Sequence, residues 1–161
     1  MQTQPDPTGD IIHLAVCVER LSSCHLILQD VKTYLDHPLS GPAFRYAVVE
    51  YMTLFNQSKN GQGPPRRIPV GCVPANHVAL HERLKKTRNE LLAHSDMSVL
   101  DGSLDFKDIR GLPITTTTLT HVDDLAELKN VDEFLDLIQA VRDNVFAKRA
   151  ALLAALSSAQ L

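Results

Sequence analysis

The sequence has no tryptophan and only 5% aromatic residues, so its interior has to be assembled from Leu, Val, Ile and Ala. Cysteine is scarce too. Cys17, Cys24 and Cys72 are odd in number and show no CxxC spacing, which excludes a disulfide framework and a zinc ribbon. Cys17 and Cys24 stand seven apart in a helical pattern, the spacing expected of buried thiols. No apolar run approaches the length that a bilayer span requires, and the opening MQTQPDPTGD lacks the basic-then-apolar order of a secretory signal, so a cytoplasmic protein away from the membrane is expected. His77 and His81 are four apart and share a helix face, but HVALH lacks the glutamate of the HExxH pattern. With no third ligand at a telling spacing, no metal site is expected.

What is present suits one domain with its own core: 161 residues, 44% apolar and 22% charged. The expected fold is all-α, an antiparallel bundle of four to five helices with a small β-hairpin insertion. Residues 1–9, polar and carrying Pro5 and Pro7, read as a flexible tail, and 10–161 as a single helical domain. From Asp10, an N-cap candidate, Ile11, Leu14, Val18, Leu21, His25 and Leu28 follow the three-and-four spacing of one helical face, and Pro38 stops this helix at about His37. His25 within that stripe reads as a buried or interface residue, or as one lining a cleft.

Pro42 suits the first turn of a second helix, whose inner face is Phe44, Val48, Tyr51, Met52 and Phe55, running to about Gln57. Asn56 to Val73, broken by Gly61, Gly63, Pro64, Pro65, Pro69 and Gly71, is a loop, with Arg66-Arg67 as a mobile basic arm. Pro74 opens a third helix with Val78, Leu84 and Leu91 inward. LDFKDI and ITTTTLT, around Arg110-Gly111-Leu112-Pro113, predict a hairpin over about 104–120. A long helical run follows from Asp123 to about Leu156, bent near Asn130. Its Ala/Leu-rich end, ALLAALSSAQL, is suited to pairing with another subunit.

Charge is unevenly spread. From Lys59 to Arg88, seven cations (Lys59, Arg66, Arg67, Arg83, Lys85, Lys86, Arg88) meet only Glu82, a local +6 that leaves −9 elsewhere in a chain of net −3. Such a concentration suits a local anionic ligand, or simply a solvated helix face. At its end lies RNELLAHSD. Arg88 offers a permanent planar fork of donors for phosphate oxygens, and His94 the one side chain that ordinarily titrates near neutrality.

Arg88-Asn89, five residues after Arg88 in all, and then His94-Ser95-Asp96 resembles the HEPN superfamily (higher eukaryotes and prokaryotes nucleotide-binding), in the form seen in its abortive-infection and toxin-type proteins. The resemblance implies a metal-independent endoribonuclease without a cofactor, or a noncatalytic relative that binds nucleotide, RNA or a protein partner. It implies a homodimer in which two motifs share a cleft, with an antitoxin or a nucleotidyltransferase as further partner. Arg88 would clamp phosphate, Asn89 orient the substrate and His94 act as base or acid. Arg83, Lys85, Lys86, Arg66 and Arg67 would hold the RNA backbone, and Glu90 and Asp96 would orient His94. In one variant of the family a tyrosine modified by a partner nucleotidyltransferase stands two residues after the histidine; Asp96 occupies that position here, a departure that weighs against that route of regulation. Residues six apart on a helix point about 120° away from each other. Arg88 and His94 therefore meet only if the arginine swings across, the helix end is distorted, or the pair comes from two subunits. A purely structural helical dimer remains the third alternative.

Overall fold

The computed structural model describes residues 6–56, 66–92, 101–109, 112–120 and 125–158. They form an all-α bundle with a two-stranded hairpin: α1 (Pro7–Thr33), α2 (Ser40–Thr53), α3 (Val78–Leu92), the strands β1 (Asp101–Ile109) and β2 (Leu112–Thr120), and α4 (Val131–Ser158).

The first helix begins a turn earlier than its apolar stripe. Asp6, not Asp10, is the N-cap, accepting the Gly9 N–H at 2.9 Å, and Pro7 occupies the first turn, where a missing N–H costs nothing. Residues 7–9 are therefore helix rather than tail. The helix ends at Thr33, short of His37, and the chain reverses before Pro38. Its buried positions are Ile11, Leu14, Cys17, Leu21, Cys24, Leu28 and Val31, an alternation of threes and fours that places both thiols in the core. Val18 and His25, expected in that stripe, are only half-buried beside it.

By length and composition α1 passes as a membrane span, with a mean hydropathy of 1.5 over its most apolar stretch, which amends the expectation that no run approaches that length. Of that stretch 28% is buried in the bundle.

The core joins α1, α2 and α4. Leu21, Leu28, Phe44, Val48, Leu137, Ile138 and Val141 are fully enclosed, each large side chain stabilising by roughly 1.5–3 kcal/mol on burial. Phe44 and Tyr51 of α2 meet the Phe134 ring edge-on, with centroids 6.0 and 5.4 Å away. Direction follows from the side-chain pairs. Arg20–Glu50 ties α1 to α2, and Lys32–Asp132 ties the end of α1 to the start of α4, so both neighbours run antiparallel to α1. Tyr51 near the end of α2 meets His81 near the start of α3, so these two run antiparallel, and Arg83 reaches Glu127 just before α4. The C-terminal end of α3 therefore lies with the end of α1 and the starts of α2 and α4.

Other boundaries shift for local reasons. Pro42 is the third residue of α2, which stops at Thr53 rather than Gln57. After Pro74 comes a 3₁₀ turn, Ala75–His77, and only then α3; Val78, expected inward, is exposed at its start. The bend expected near Asn130 is real: a 3₁₀ turn over Ala126–Asn130 hands over to α4. The hairpin begins at Asp101 rather than 104. Its register runs from Asp101↔Thr120 to Ile109↔Leu112, so Leu112 and Pro113 belong to β2 rather than to the turn. Its described side chains, Phe106 among them, are exposed.

Candidate functional site

On α3 the inner face is the line His81, Leu84, Thr87 and Arg88, positions three, four and seven apart that stack on one side of a helix. Glu82, Arg83, Lys85, Lys86 and Asn89 are exposed. Arg88 is the point where the apolar face turns polar. It is half-buried, and its Nε is enclosed with no hydrogen-bond partner among the described residues. Its Nη1 donates to the Asn89 Oδ1 at 3.1 Å. Among the described residues no carboxylate pairs with it. Glu90 belongs to α3, whereas His94 and Asp96 lie outside the described residues, as does Lys59.

The surrounding cations differ sharply from Arg88. Arg83 is engaged by Glu127 at 2.7 Å and Glu133 at 3.7 Å, and Lys85 by Glu82 at 3.0 Å. The Glu127 carboxyl loses stability as an anion through burial, but the bonds from Arg83 and Asn130 outweigh this and hold its pKa below the usual range. Lys86 lies on the outer face of α3.

Arg66 is not a mobile arm. Its Nη2 meets Asp6 at 2.6 Å and its Nε meets Asp10 at 2.8 Å, clamping the first turn of α1. The chain beyond it is docked as well: Ile68 is fully buried, and its N–H donates to the Leu54 carbonyl at 2.8 Å. Arg66 is held at the start of α1, whereas Arg88 lies in the second half of α3. Exposed Arg67 follows Arg66.

Compared with known proteins, the chain matches no family model, no curated protein and no solved structure.

The histidines of HVALH part company. His77 is half-exposed in the 3₁₀ turn, while His81 is buried against Tyr51 and Phe55, with the Tyr51 hydroxyl 2.9 Å from its Nδ1. Burial lowers the His81 pKa, with Lys85 assisting and Glu82 opposing, and burial raises that of Tyr51. This neutral pair is an interior polar contact that the spacing of the histidines did not disclose. His25 is half-buried, its pKa held down first by burial and then by Arg142. Burial likewise pushes the thiols up, Cys17 to about 11 and Cys24 to about 12, so neither is an activated nucleophile. Among the described residues no group of three His, Cys, Asp or Glu side chains gathers as metal ligands would.

Proposed function

We propose that the chain is a metal-independent endoribonuclease of HEPN type, a toxin or phage-defence effector that cleaves RNA in the cytoplasm with Arg88, Asn89 and His94 at the cleft of a homodimer. The observation that carries this reading is the state of Arg88. It is half-buried at the edge of the core, steadied by Asn89 and without an acidic partner among the described residues, while Arg83 and Lys85 on the same helix are neutralised. A sheltered guanidinium is suited to an anionic group, and phosphate matches its fork.

Cleavage needs a base to take the 2′-hydroxyl proton, a cation to stabilise the phosphorane, and an acid to protonate the leaving oxygen. In this reading Arg88 stabilises the phosphorane, and two copies of His94 across a dimer axis divide the acid and base roles. Glu90 and Asp96 orient His94, and Asn89 aligns the substrate. The dimer reading draws support from apolar side chains left uncovered on the antiparallel pair α1 and α4, namely Ile12, Val16, Phe146 and Leu153. An antitoxin or a nucleotidyltransferase is the partner expected of such an effector.

The ion-paired state of Arg83 and Lys85 favours a second reading, a noncatalytic module of the same type that binds nucleotide, RNA or a protein. Few cations are then left to hold a long RNA backbone. One experiment separates the two: RNA cleavage by the purified chain in a metal chelator, wild type beside Arg88→Ala, Asn89→Ala and His94→Ala. Cleavage that falls at least 100-fold in Arg88→Ala and His94→Ala supports the enzyme, in keeping with the usual weight of acid–base and electrostatic groups. Equal, low activity in all variants identifies a contaminant. Labelled RNA retained without turnover, and lost in Arg88→Ala, selects the binding module.

A further inference from the structure

The reversal between α1 and α2 leaves a pocket of about 400 Å³, lined by Ile27, Asp30, Val31, Tyr34, Leu39 and Ala43, with His37 and Ser40 at its edge. This is within the range of small-molecule sites. The pocket lies where α1 stops at Thr33 and α2 starts at Ser40, and of the first turn of α2 only Ser40 and the small Ala43 line it. The linker 34–39 then arches over the gap instead of filling it.

The polar groups around the pocket are not equivalent. The Ser40 hydroxyl donates to the Tyr34 carbonyl, and the Leu39 N–H donates to His37 Nδ1 at 3.2 Å, so both are committed to holding the turn. The Asp30 carboxylate, in contrast, has no hydrogen bond and no ion pair among the described residues. Lys32, two residues on, is turned away to Asp132 at 2.6 Å. Asp30 and Tyr34 both line the pocket, and Tyr34 and Leu39 are 62% and 64% exposed as uncovered apolar rims.

An unpaired carboxylate beside an aromatic ring, over an aliphatic floor, selects for charge and shape together. A cation gains from both the anion and the ring face, an anion is repelled, and a neutral apolar molecule gains only the floor. We propose that this pocket is a binding site for a small hydrophobic amine, its ammonium between Asp30 and the Tyr34 ring and its apolar body against Ile27, Val31 and Ala43. Arg88 is not among the residues that line the pocket, and the test does not depend on RNA cleavage.

The probes are phenethylammonium, 2-phenylethanol and phenylacetate, three molecules of nearly equal shape and different charge. Each is titrated into the full chain while backbone amide shifts are followed by NMR. The amine shifts amides of residues 27–43 saturably and binds about tenfold more tightly than the alcohol, and phenylacetate leaves them unmoved. Asp30→Asn brings the amine down to the level of the alcohol without moving the alcohol, and Tyr34→Ala weakens both. Both side chains are exposed, so neither change threatens the fold, and unchanged amide dispersion checks this. Equal affinity for amine and alcohol in the wild type, an unaltered amine affinity in Asp30→Asn, shifts centred elsewhere, or no binding by any probe would each overturn the proposal.

Discussion

His81 must stay neutral to remain where it is. It is buried on α3 against the Tyr51 and Phe55 rings, with Glu82 and Lys85 as its charged neighbours, and burial holds its pKa below the ordinary 6.5. The unfolded chain therefore binds more protons than the folded one just below pH 6.5, and stability falls as pH drops through that value towards the folded pKa. His13 and His25, also lowered by burial, add to the same slope. Melting temperature should accordingly decline from pH 7.5 to 5, and His81→Gln should flatten the decline; an equal slope in that variant would count against His81 as a contributor. Tyr51→Phe leaves Nδ1 without its partner and should cost about 1–3 kcal/mol in urea unfolding at neutral pH. Spacing alone puts His77 and His81 on one helix face, but His77 lies in the 3₁₀ turn before α3 and only His81 is on the helix. The sequence could not tell which way that face points, because His81 is enclosed by residues of α2, 30 positions earlier in the chain.

The start of α1 illustrates the same point for an element. Its apolar stripe begins at Ile11, so pattern alone puts the cap at Asp10; the real first turn is polar and held by Arg66 from 56 and 60 residues away. Periodicity detects a buried face, not a turn fixed by a distant ion pair. A Cβ on Gly9 would run into the Arg66 guanidinium and the Asp6 carboxylate. Alanine is otherwise the better helix former, by about 1 kcal/mol. Gly9→Ala should thus raise the melting temperature more in an Arg66→Gln background than in the wild type, and additive effects would show that the clamp and Gly9 are independent. Deeper in the same helix, Leu21→Ala should cost about 2–5 kcal/mol by denaturant unfolding, since Leu21 is fully enclosed. That residue was legible in advance, because a regular stripe names its own centre.

For the whole molecule, the proposed homodimer makes a measurable demand. Phe146 and Leu153 are 56% and 40% exposed on α4, beyond Val145, its last fully buried position. Sedimentation equilibrium should give a dimer for the wild type at micromolar concentration and a monomer for Phe146→Glu/Leu153→Glu with unchanged helicity; a wild-type monomer would remove the shared cleft from the proposed mechanism. The sequence by itself determined the class of fold, because three-and-four spacing and β-branched alternation are local consequences of helix and strand geometry. It also singled out Arg88, Asn89 and His94 as candidate site residues at the end of a basic stretch. Only the tertiary structure decided which cations are already spent. Arg66 went to Asp6 and Asp10, Arg83 to Glu127 and Glu133, and Arg88 to none of the described carboxylates. Charge along a sequence counts residues, whereas the field at a site depends on which of them the fold has brought against an opposite charge.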